Sequence, residues 1–219
     1  MEKEALIAAG GQMDPEQFRE EADRIRRAGG LCIAADRGLE AFWRLGEVPD
    51  IAVGDFDSVS PEALAWYTGC EGSRLERHRP QKDQSDTELA FETAREAGVK
   101  RLTFMGATGT RLDHTFSNIH LLKTARDQGL DCVLLDRNNR VRLINGRTVF
   151  YREQYPYLSF LPLSEEVTHM TLTGFRYPLK DYHMVLGVEC TRCVSNEIAQ
   201  KEAIVDFAEG LLLAVEAKD

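Results

Sequence analysis

The sequence predicts two domains in series: an α/β domain with an open, mostly parallel sheet, followed by a smaller all-β sandwich domain. Short apolar runs alternate with helical patterns over residues 1–137. Over residues 138–219, β-rich runs follow one another without a long helical pattern. The polar stretch Asp136–Asn139 marks the change between the two patterns. We therefore expect a domain boundary there.

Five short apolar runs are typical of strands that are buried on both faces of a sheet. They cover residues 5–9, 31–35, 50–53, 102–105 and 131–135. Because helical patterns lie between them, an open and mostly parallel arrangement is expected for these strands.

Three helices are predicted between these strands. The first follows Asp14-Pro15, which suits an N-cap followed by proline at the first helical position. The second begins with Ser85 and Glu88 at the spacing of a capping box. The third carries apolar residues three and four positions apart on one face. The three helical patterns, each of which ends in glycine, cover residues 15–30, 85–98 and 111–129.

The second domain is expected to consist of strands. Residues 140–152 hold two β-rich runs around Asn145-Gly146, which predicts a hairpin. Turn candidates such as Lys180-Asp181 and Glu209-Gly210 separate the later runs. Those runs cover residues 157–163, 169–175, 183–190, 202–207 and 211–217.

Composition and charge exclude several classes of protein. The net charge is −9, and no stretch interleaves basic with aromatic residues, so nucleic acid is not an expected partner. No apolar run approaches the roughly 20 residues of a membrane span, and the acidic N-terminal region lacks the pattern of a secretory signal. The five scattered cysteines favour free thiols in a reducing compartment. We expect a cytoplasmic protein with no membrane partner.

The cysteines at positions 190 and 193 have C-x-x-C spacing. Neither a second pair nor a histidine cluster completes a zinc site, so two packed thiols are the favoured interpretation.

The stretch VGDFDSVS at residues 53–60 places two acids on either side of Phe56. In an extended segment Asp55 and Asp57 would project to the same side. At about 4 Å and an effective dielectric constant of about 20, their charges repel by about 4 kcal/mol. This is a large cost against total stabilities of about 5–15 kcal/mol, so a positive partner is expected near them.

Glycine and polar residues follow four of the apolar runs, where ligands bind in a parallel α/β sheet. The acids favour a hard divalent cation such as Mg²⁺ that bridges carboxylates and phosphate oxygens. The last cluster leads into a helix, whose N-terminus is a natural phosphate site to which Arg111 adds a bidentate donor. Neither a P-loop nor G-x-G-x-x-G is present. The four clusters are Gly10-Gly11, 36–38, 54–58 and 106–111.

Two further groups of residues have ordinary structural explanations. Asp83 and Asp86 stand at a helix start, where acids stabilise the helix dipole and where Ser85 and Glu88 already form a cap. Asp113-His114 is ambiguous in the same way, because an early acid suits a helix and a lone histidine is often packed.

The ordered motifs AADRG, GDFDS, KDQSDTELA, GATGTRLDHTFSNI, GFRYPL and VSNE resemble those of thiamine pyrophosphokinases over nearly the whole chain. The resemblance implies Mg²⁺-dependent transfer of the terminal diphosphate of ATP to the hydroxyl of thiamine, which gives thiamine diphosphate and AMP. It also implies a homodimer whose β domains contribute to the interface, with thiamine bound between subunits.

The resemblance also carries roles to individual residues. Asp55, Asp57 and Asp86 match the metal-binding acids, and with the nearby Asp83 they form the expected catalytic set. One of these carboxylates could accept the thiamine hydroxyl proton. The expected nucleotide-binding residues are Asp36, Thr108, Gly109, Arg111, Asp113 and His114. The expected thiamine-binding residues are Ser195, Asn196 and Glu197.

The sequence departs from the family pattern at several positions. Arg37 replaces a glycine and could add a phosphate contact, Ser85 replaces threonine, and Thr110 replaces a common glycine. Both tryptophans lie in the first domain, so Tyr177 and Phe175 are the candidates for stacking on thiamine.

Three alternatives remain open at the level of the sequence. The first is an enzyme that transfers diphosphate to another small hydroxylated heterocycle, since the ATP half of the site has more support than the thiamine half. The second is a regulatory protein that binds ATP without transfer. The third is a structural β-sandwich adaptor with an inert α/β half, which the clustered acids disfavour.

Overall fold

The computed structural model describes residues 2–78, 84–109, 111–152, 155–189 and 191–219. The chain divides into two compact units, Met1–Arg137 and Asn138–Asp219. Among the described residues, no helix is both long and apolar enough to cross a membrane.

A parallel sheet with surrounding helices forms the first unit. Its strands are β1 (Glu4–Ala8), β2 (Leu31–Ala35), β3 (Ile51–Gly54), β4 (Arg74–Arg77), β5 (Arg101–Met105) and β6 (Asp131–Leu135). Its helices are α1 (Pro15–Arg27), α2 (Leu39–Leu45), α3 (Pro61–Thr68), α4 (Asp86–Glu96) and α5 (Leu112–Asp127). The strand order is β4-β3-β2-β1-β5-β6, and each neighbouring pair is parallel. The predicted open parallel sheet is confirmed.

Both faces of this sheet are covered, which explains why its strands are continuous apolar runs. Leu6 and Ala34 belong to a core cluster that includes Phe18 of α1 and Phe42 of α2. The alternating residues, such as Ile7, point to the opposite face, where α4 packs against β2 and β3. Loops that follow the strands therefore emerge at one edge, between two helical layers.

Capping interactions fix the starts of two predicted helices. Asp14 accepts hydrogen bonds from the N–H groups of Glu16 and Gln17, at 3.1 and 3.0 Å. At α4, the Glu88 carboxylate accepts from the Ser85 N–H at 2.8 Å, while the Ser85 hydroxyl oxygen accepts from the Glu88 N–H at 3.2 Å. The capping box expected from the sequence is therefore formed.

The second unit consists of two antiparallel sheets, with strand orders β7-β13-β9 and β11-β10-β12-β8. Phe160 of β9 and Leu212 of β13 share a core cluster with Phe150 of β8 and Val205 of β12. A core formed by both sheets is that of a sandwich, as predicted. The strands are β7 (Asn139–Ile144), β8 (Thr148–Tyr151), β9 (Tyr157–Pro162), β10 (Glu166–Thr173), β11 (Leu179–Val185), β12 (Glu202–Asp206) and β13 (Leu212–Ala217).

Two local predictions for the second unit are wrong. The strands on either side of Asn145-Gly146 do not form a hairpin, because β7 pairs with β13 whereas β8 pairs with β12. Lys180-Asp181 is not a turn between strands but lies within β11. Asp181 has φ of +52° there, beside an irregular register with β10, so the polar pair marks a local distortion of the strand.

Candidate active site

Three carboxylates meet at the carboxyl edge of the parallel sheet. Asp36 begins a short 3-10 turn directly after β2, and Asp55 and Asp57 follow β3. One carboxylate oxygen from each lies within 4.8 Å of the others. The neighbouring positions of β2 and β3 in the sheet explain why acids so far apart in sequence come together.

A tight turn, and not an extended segment, brings Asp55 and Asp57 together. Phe56 between them has φ of +64° and is buried in the core, with 5% of its surface exposed. The Asp57 N–H donates to Asp55 Oδ1 at 3.1 Å. The expectation of an extended segment was therefore wrong, because the buried ring anchors a left-handed turn between the two acids.

Asp36 has an oxygen without a hydrogen-bond partner. The Ser58 hydroxyl donates to Asp36 Oδ2, whereas the buried Oδ1 accepts no hydrogen bond from the described residues. Burial raises the pKa of Asp36, the Ser58 hydroxyl and the Arg37 backbone N–H oppose this effect, and the negative charges of Asp86 and Asp55 add to it. The residue also has φ of +45°, which is strained for a residue with a side chain.

Asp86, the first residue of α4, lies beside the same cluster. A Cβ atom placed on Gly54 would stand 3.2 Å from Asp86 Oδ1 and 3.1 Å from Asp36 Cβ. Gly54 also has φ of +151°, so a larger residue would meet both strain and crowding there. The end of β3 thus needs glycine to let the two acids approach. Asp83, the other predicted catalytic acid, lies outside the described residues.

An arginine lies against the phenyl ring of the acidic turn, and the positive partner expected for the carboxylates of Asp55 and Asp57 stays a prediction. The guanidinium carbon of Arg77, at the end of β4, is 5.7 Å from the centre of the Phe56 ring. This distance is that of a cation–π contact. The arginine supports the conformation of the turn from the side of the phenyl ring.

The loop between β5 and α5 is anchored at its base. The Thr108 hydroxyl donates to Asp136 Oδ2 at 2.7 Å, and the buried Asn118 amide donates to the Ala107 carbonyl at 2.7 Å. Sequence reasoning included Thr108 but missed Asn118 and Asp136. The motif GATGTRLDHTFSNI contains Asn118, and its position on the inner face of α5 was the available signal.

Further along this loop the charged residues are exposed. Arg111 forms two hydrogen bonds with Asp113, at 2.6 and 3.2 Å. The Asp113 carboxylate also accepts from the His114 N–H at 3.0 Å. The Arg111 hydrogen bond lowers the pKa of Asp113 to about 2. Both charges are therefore present at neutral pH, at the N-terminus of α5, and Gly109 lies exposed before them.

The three predicted thiamine-binding residues lie in the second unit and differ in their surroundings. Asn196 is buried, with 3% of its surface exposed. Its Oδ1 accepts from the N–H groups of Tyr177 and Glu197, at 3.0 and 2.9 Å, and its Nδ2 donates to the Tyr177 carbonyl at 2.8 Å. Ser195 is exposed, and Glu197 pairs with Arg176 at 2.7 Å.

Asn196 therefore fixes the backbone on both sides of an aromatic residue. Tyr177 is 56% exposed, and the guanidinium carbon of Arg176 stands 5.5 Å from the centre of its ring. The aromatic ring of Tyr177 is therefore accessible to a ligand in this loop. Phe175, the other aromatic candidate, is 5% exposed and packs in the core.

Comparisons with known proteins cover both units. A family model described as thiamin pyrophosphokinase, catalytic domain, matches residues 23–134, and one described as thiamin pyrophosphokinase, vitamin B1 binding domain, matches residues 147–212. A thiamine pyrophosphokinase of Bacillus subtilis is 33% identical over 198 residues, which are 86% of this chain and 88% of that protein.

Solved structures agree with this result. A crystal structure of thiamine pyrophosphokinase from Bacillus subtilis has a TM-score of 0.87 and 29% identity, and it covers 99% of this chain and 100% of that chain. One from Geobacillus thermodenitrificans has a TM-score of 0.84 and 31% identity over 99% of this chain and 98% of that chain. On these matches, which span both units, the chain belongs to the thiamine pyrophosphokinase family.

Proposed function

We propose that the protein transfers the terminal diphosphate of ATP to the hydroxyl of thiamine and releases thiamine diphosphate and AMP. The observation that carries this proposal is the acidic cluster at the sheet edge, in which the buried Asp36 Oδ1 has no hydrogen-bond partner among the described residues. Buried polar atoms are normally paired, so an unpaired carboxylate oxygen among other acids suits a cation.

The acids fit Mg²⁺, which prefers oxygen ligands and is usually held by one or two carboxylates together with phosphate oxygens. Asp36, Asp55 and Asp57 would hold it, with Asp86 beside them. When bound, it would neutralise negative charge on the diphosphate that is transferred. Asp83 remains a prediction as a further acid of this group.

The residues of the chain would promote the transfer by holding the reacting groups in position and by stabilising the charge that develops on them. The thiamine hydroxyl oxygen forms a bond to the β-phosphorus, and the bond from this phosphorus to the oxygen bridging the α- and β-phosphates breaks. The electron pair leaves with AMP, and a carboxylate of the acidic cluster accepts the hydroxyl proton. Because two of these acids flank the fixed Phe56, their positions are set before substrate binds.

The nucleotide would be held along the same edge. The N-terminus of α5 presents N–H groups to an anion, and Arg111 would exchange its exposed partner Asp113 for phosphate oxygens. Thr108 and Gly109 would allow the backbone to approach the phosphates. Asp36 and His114 would also contact the nucleotide.

The second unit would supply thiamine contacts. Ser195 and Glu197 would contact the substrate, with Tyr177 as the stacking ring, while Asn196 would act by holding the Tyr177 backbone. A homodimer in the cytoplasm is proposed on the family resemblance and on the composition of the chain.

The test is to incubate the purified protein with ATP, Mg²⁺ and thiamine and to separate nucleotides and thiamine esters by chromatography. We expect equal amounts of AMP and thiamine diphosphate, and no product when EDTA is present. The matched control is Asp127→Asn, which removes an exposed acid on α5 away from the cluster and should leave the rate unchanged.

Other products would contradict the proposal. ADP with thiamine monophosphate would mean that the terminal phosphate alone is transferred. ATP binding without any thiamine ester would favour another acceptor or a regulatory role.

A further inference from the structure

A buried acid on α2 accepts a hydrogen bond from the loop of residues 55–60, which we call the acidic loop because it carries Asp55 and Asp57. This acid is Glu40, which has 8% of its surface exposed. Its Oε1 accepts from the Ser60 N–H at 2.8 Å. Charged side chains are almost never buried unless they are paired, so a buried glutamate that contacts the backbone of another loop calls for an explanation. None of the roles assigned above uses it.

The acidic loop contains both anchored and open residues. Phe56 and Val59 are buried and belong to the core cluster of the first unit. Asp57 and Ser58, which stand between them, are exposed. Burial of apolar side chains holds a loop against the core, but it is non-directional and does not fix the orientation of backbone groups. A hydrogen bond at the end of the loop can fix that orientation.

Ser60 joins the acidic loop to two helices. Its side-chain oxygen accepts from the Ala63 N–H at 3.3 Å as the N-cap of α3, and Pro61 occupies the first helical position. Its own N–H donates to Glu40 on α2. The last residue of the loop is therefore held by α2 and α3 at once.

The turn that carries Asp36 sets the position of Glu40. This turn leads directly into α2 at Leu39, whose side chain is buried. A Cβ atom on Gly38 would stand 1.9 Å from the Ala8 carbonyl oxygen, so the turn lies in close contact with the end of β1. Glu40 thus follows Asp36 by about one helical turn, on a segment that close packing holds in place.

Two polar links therefore join the segment of Asp36 to the acidic loop. The Ser58 hydroxyl donates to Asp36 Oδ2, and the Ser60 N–H donates to Glu40. The first link uses an oxygen of the acidic cluster, for which a bound cation would compete. The second uses no oxygen of the cluster, so it can persist when a cation is bound.

The Glu40 carboxylate is a charged acceptor. Burial raises its pKa, but the hydrogen bonds from Ser60 and the charges of Arg44 and Arg37 outweigh this effect, so the pKa lies below its ordinary value. Oε2 lies 3.7 Å from Arg44 Nη2. Hydrogen bonds to a charged acceptor are roughly twice as strong as those between neutral groups. The link from Glu40 to the acidic loop therefore belongs to the stronger class.

We propose that Glu40 is a positioning residue for the metal site. Its hydrogen bond with Ser60 holds the acidic loop against the turn of Asp36, so that the three carboxylates of the cluster face one another before a cation binds. Without this bond, the repulsion between the carboxylates favours arrangements in which they lie apart. The affinity for the cation then falls with the fraction of molecules that keep the binding arrangement. The inference rests on the proposed function for the identity of the cation as Mg²⁺.

The first test measures the metal-free protein by hydrogen exchange over residues 55–60, followed by mass spectrometry. Glu40→Leu removes the acceptor and leaves an apolar side chain of similar size in the buried position. We expect the acidic loop to exchange about tenfold faster in this variant, because a charge-assisted bond is lost and the loop opens more often. Glu40→Gln keeps an acceptor oxygen and should exchange within about threefold of the wild-type rate. Unchanged exchange in a folded Glu40→Leu protein would overturn the inference.

Asp50→Ala is the matched control. The Asp50 carboxylate accepts from the Cys32 N–H at 2.7 Å, before the start of β3 and at the opposite end of this strand from the acidic loop. It also joins two segments through a backbone N–H. We expect the acidic loop of this variant to exchange at the wild-type rate, which separates a local effect from a general loss of stability. A gain in exchange as large as that of Glu40→Leu would contradict the inference.

The second test separates the affinity for Mg²⁺ from the rate of transfer. We expect Glu40→Leu to raise the half-saturating Mg²⁺ concentration about tenfold and to leave kcat at saturating Mg²⁺ within about twofold, because excess cation restores the binding arrangement. Calorimetry of Mg²⁺ binding without substrates measures the same affinity without turnover. Glu40→Gln should stay within about threefold of the wild-type affinity. An equal loss of affinity in Glu40→Gln and Glu40→Leu would mean that the charge of Glu40 matters and its hydrogen bond does not, which would overturn the inference.

The proposed function and this inference fail in different ways. If the wild-type protein binds no Mg²⁺, the metal site is wrong, while hydrogen exchange of the metal-free variants still decides whether Glu40 holds the acidic loop. If Mg²⁺ binds and Glu40→Leu matches the wild-type protein in both tests, the metal site stands and the role of Glu40 is wrong.

Discussion

Asp36 in the first unit is half-buried with one buried oxygen, and Asn196 in the second is buried, yet the hydrogen bonding of the two side chains differs. All the hydrogen bonds of Asn196 described above go to backbone groups of its own unit. Asp36 has a buried oxygen with no partner in the described part of the chain, together with a raised pKa and a strained backbone. A satisfied polar group stabilises its loop, whereas an unsatisfied one costs stability and is available to a ligand.

The largest expected effect is a loss of activity when the acidic cluster is changed. We expect Asp57→Asn to lower diphosphate transfer by about 10²-fold or more, because the proposed cation would lose a charged ligand. The unfolding free energy without Mg²⁺ should be unchanged or higher, because repulsion with Asp55 and Asp36 is relieved. Chromatography of products and denaturant titration measure the two quantities. Near-native transfer at ordinary Mg²⁺ would remove Asp57 from the metal site.

A loss of stability, in contrast, is expected when the hydrogen-bonded side chain of Asn196 is removed. Asn196→Ala should lower the unfolding free energy by about 3 kcal/mol, because three backbone groups lose their buried partner. Ser195→Ala, at the exposed neighbour, should change it by less than about 0.5 kcal/mol. Denaturant titration of both variants is the measurement. Equal stability of the two would mean that the Asn196 bonds are replaced by solvent.

A smaller effect is expected on the melting temperature, which should rise when Mg²⁺ binds to the folded protein. Mg²⁺ at about 100 times its dissociation constant stabilises a protein that binds it only when folded by about 2.7 kcal/mol, or about 5–10 °C in melting temperature for a chain of this size. We expect this rise for the wild-type protein in thermal denaturation, and much less for Asp57→Asn. A rise of the same size in both proteins would place the bound cation elsewhere.

The smallest effect concerns a group outside both sites. Burial raises the pKa of the Cys132 thiol from 9.0 to about 12. Between these values the unfolded chain releases a proton that the folded chain keeps, so stability is full below about pH 9 and falls as pH rises, by at most about 1.4 kcal/mol per pH unit. Cys132→Ala should show a shallower fall in denaturant titrations from pH 8 to 10.5, and Val133→Ala should not. Parallel curves would contradict the raised pKa.

Sequence reasoning succeeded where burial alone determines structure. The five apolar runs of the first domain became strands because both faces of that sheet are covered. It missed α2 and α3, which are too short for a helical period to be visible. It also missed β4, whose sequence RLER is polar because it is an edge strand.

Long-range pairing explains the remaining differences. The Asn145-Gly146 signal for a hairpin is local, and the pairing of β7 with β13 overrides it. The proximity of Asp36 to the other acids depends on the pairing of β2 with β3, which spacing along the chain does not reveal. The expectation that the Asp55 and Asp57 carboxylates lie close together is confirmed, whereas the extended backbone assumed for it is wrong, since the turn depends on burial of Phe56.

The placement of β1 between β2 and β5 has a consequence for the order of folding. Ala8 pairs with Ala34 on one side, shortly after it is synthesised, and with Met105 on the other, only after most of the first unit exists. Contacts between residues so distant in sequence form at a high entropic cost of loop closure. The Gly11–Gly106 hydrogen bond must therefore be among the later contacts. While the chain is still emerging from the ribosome, the loop after β1 lacks this hydrogen bond until β5 has been synthesised.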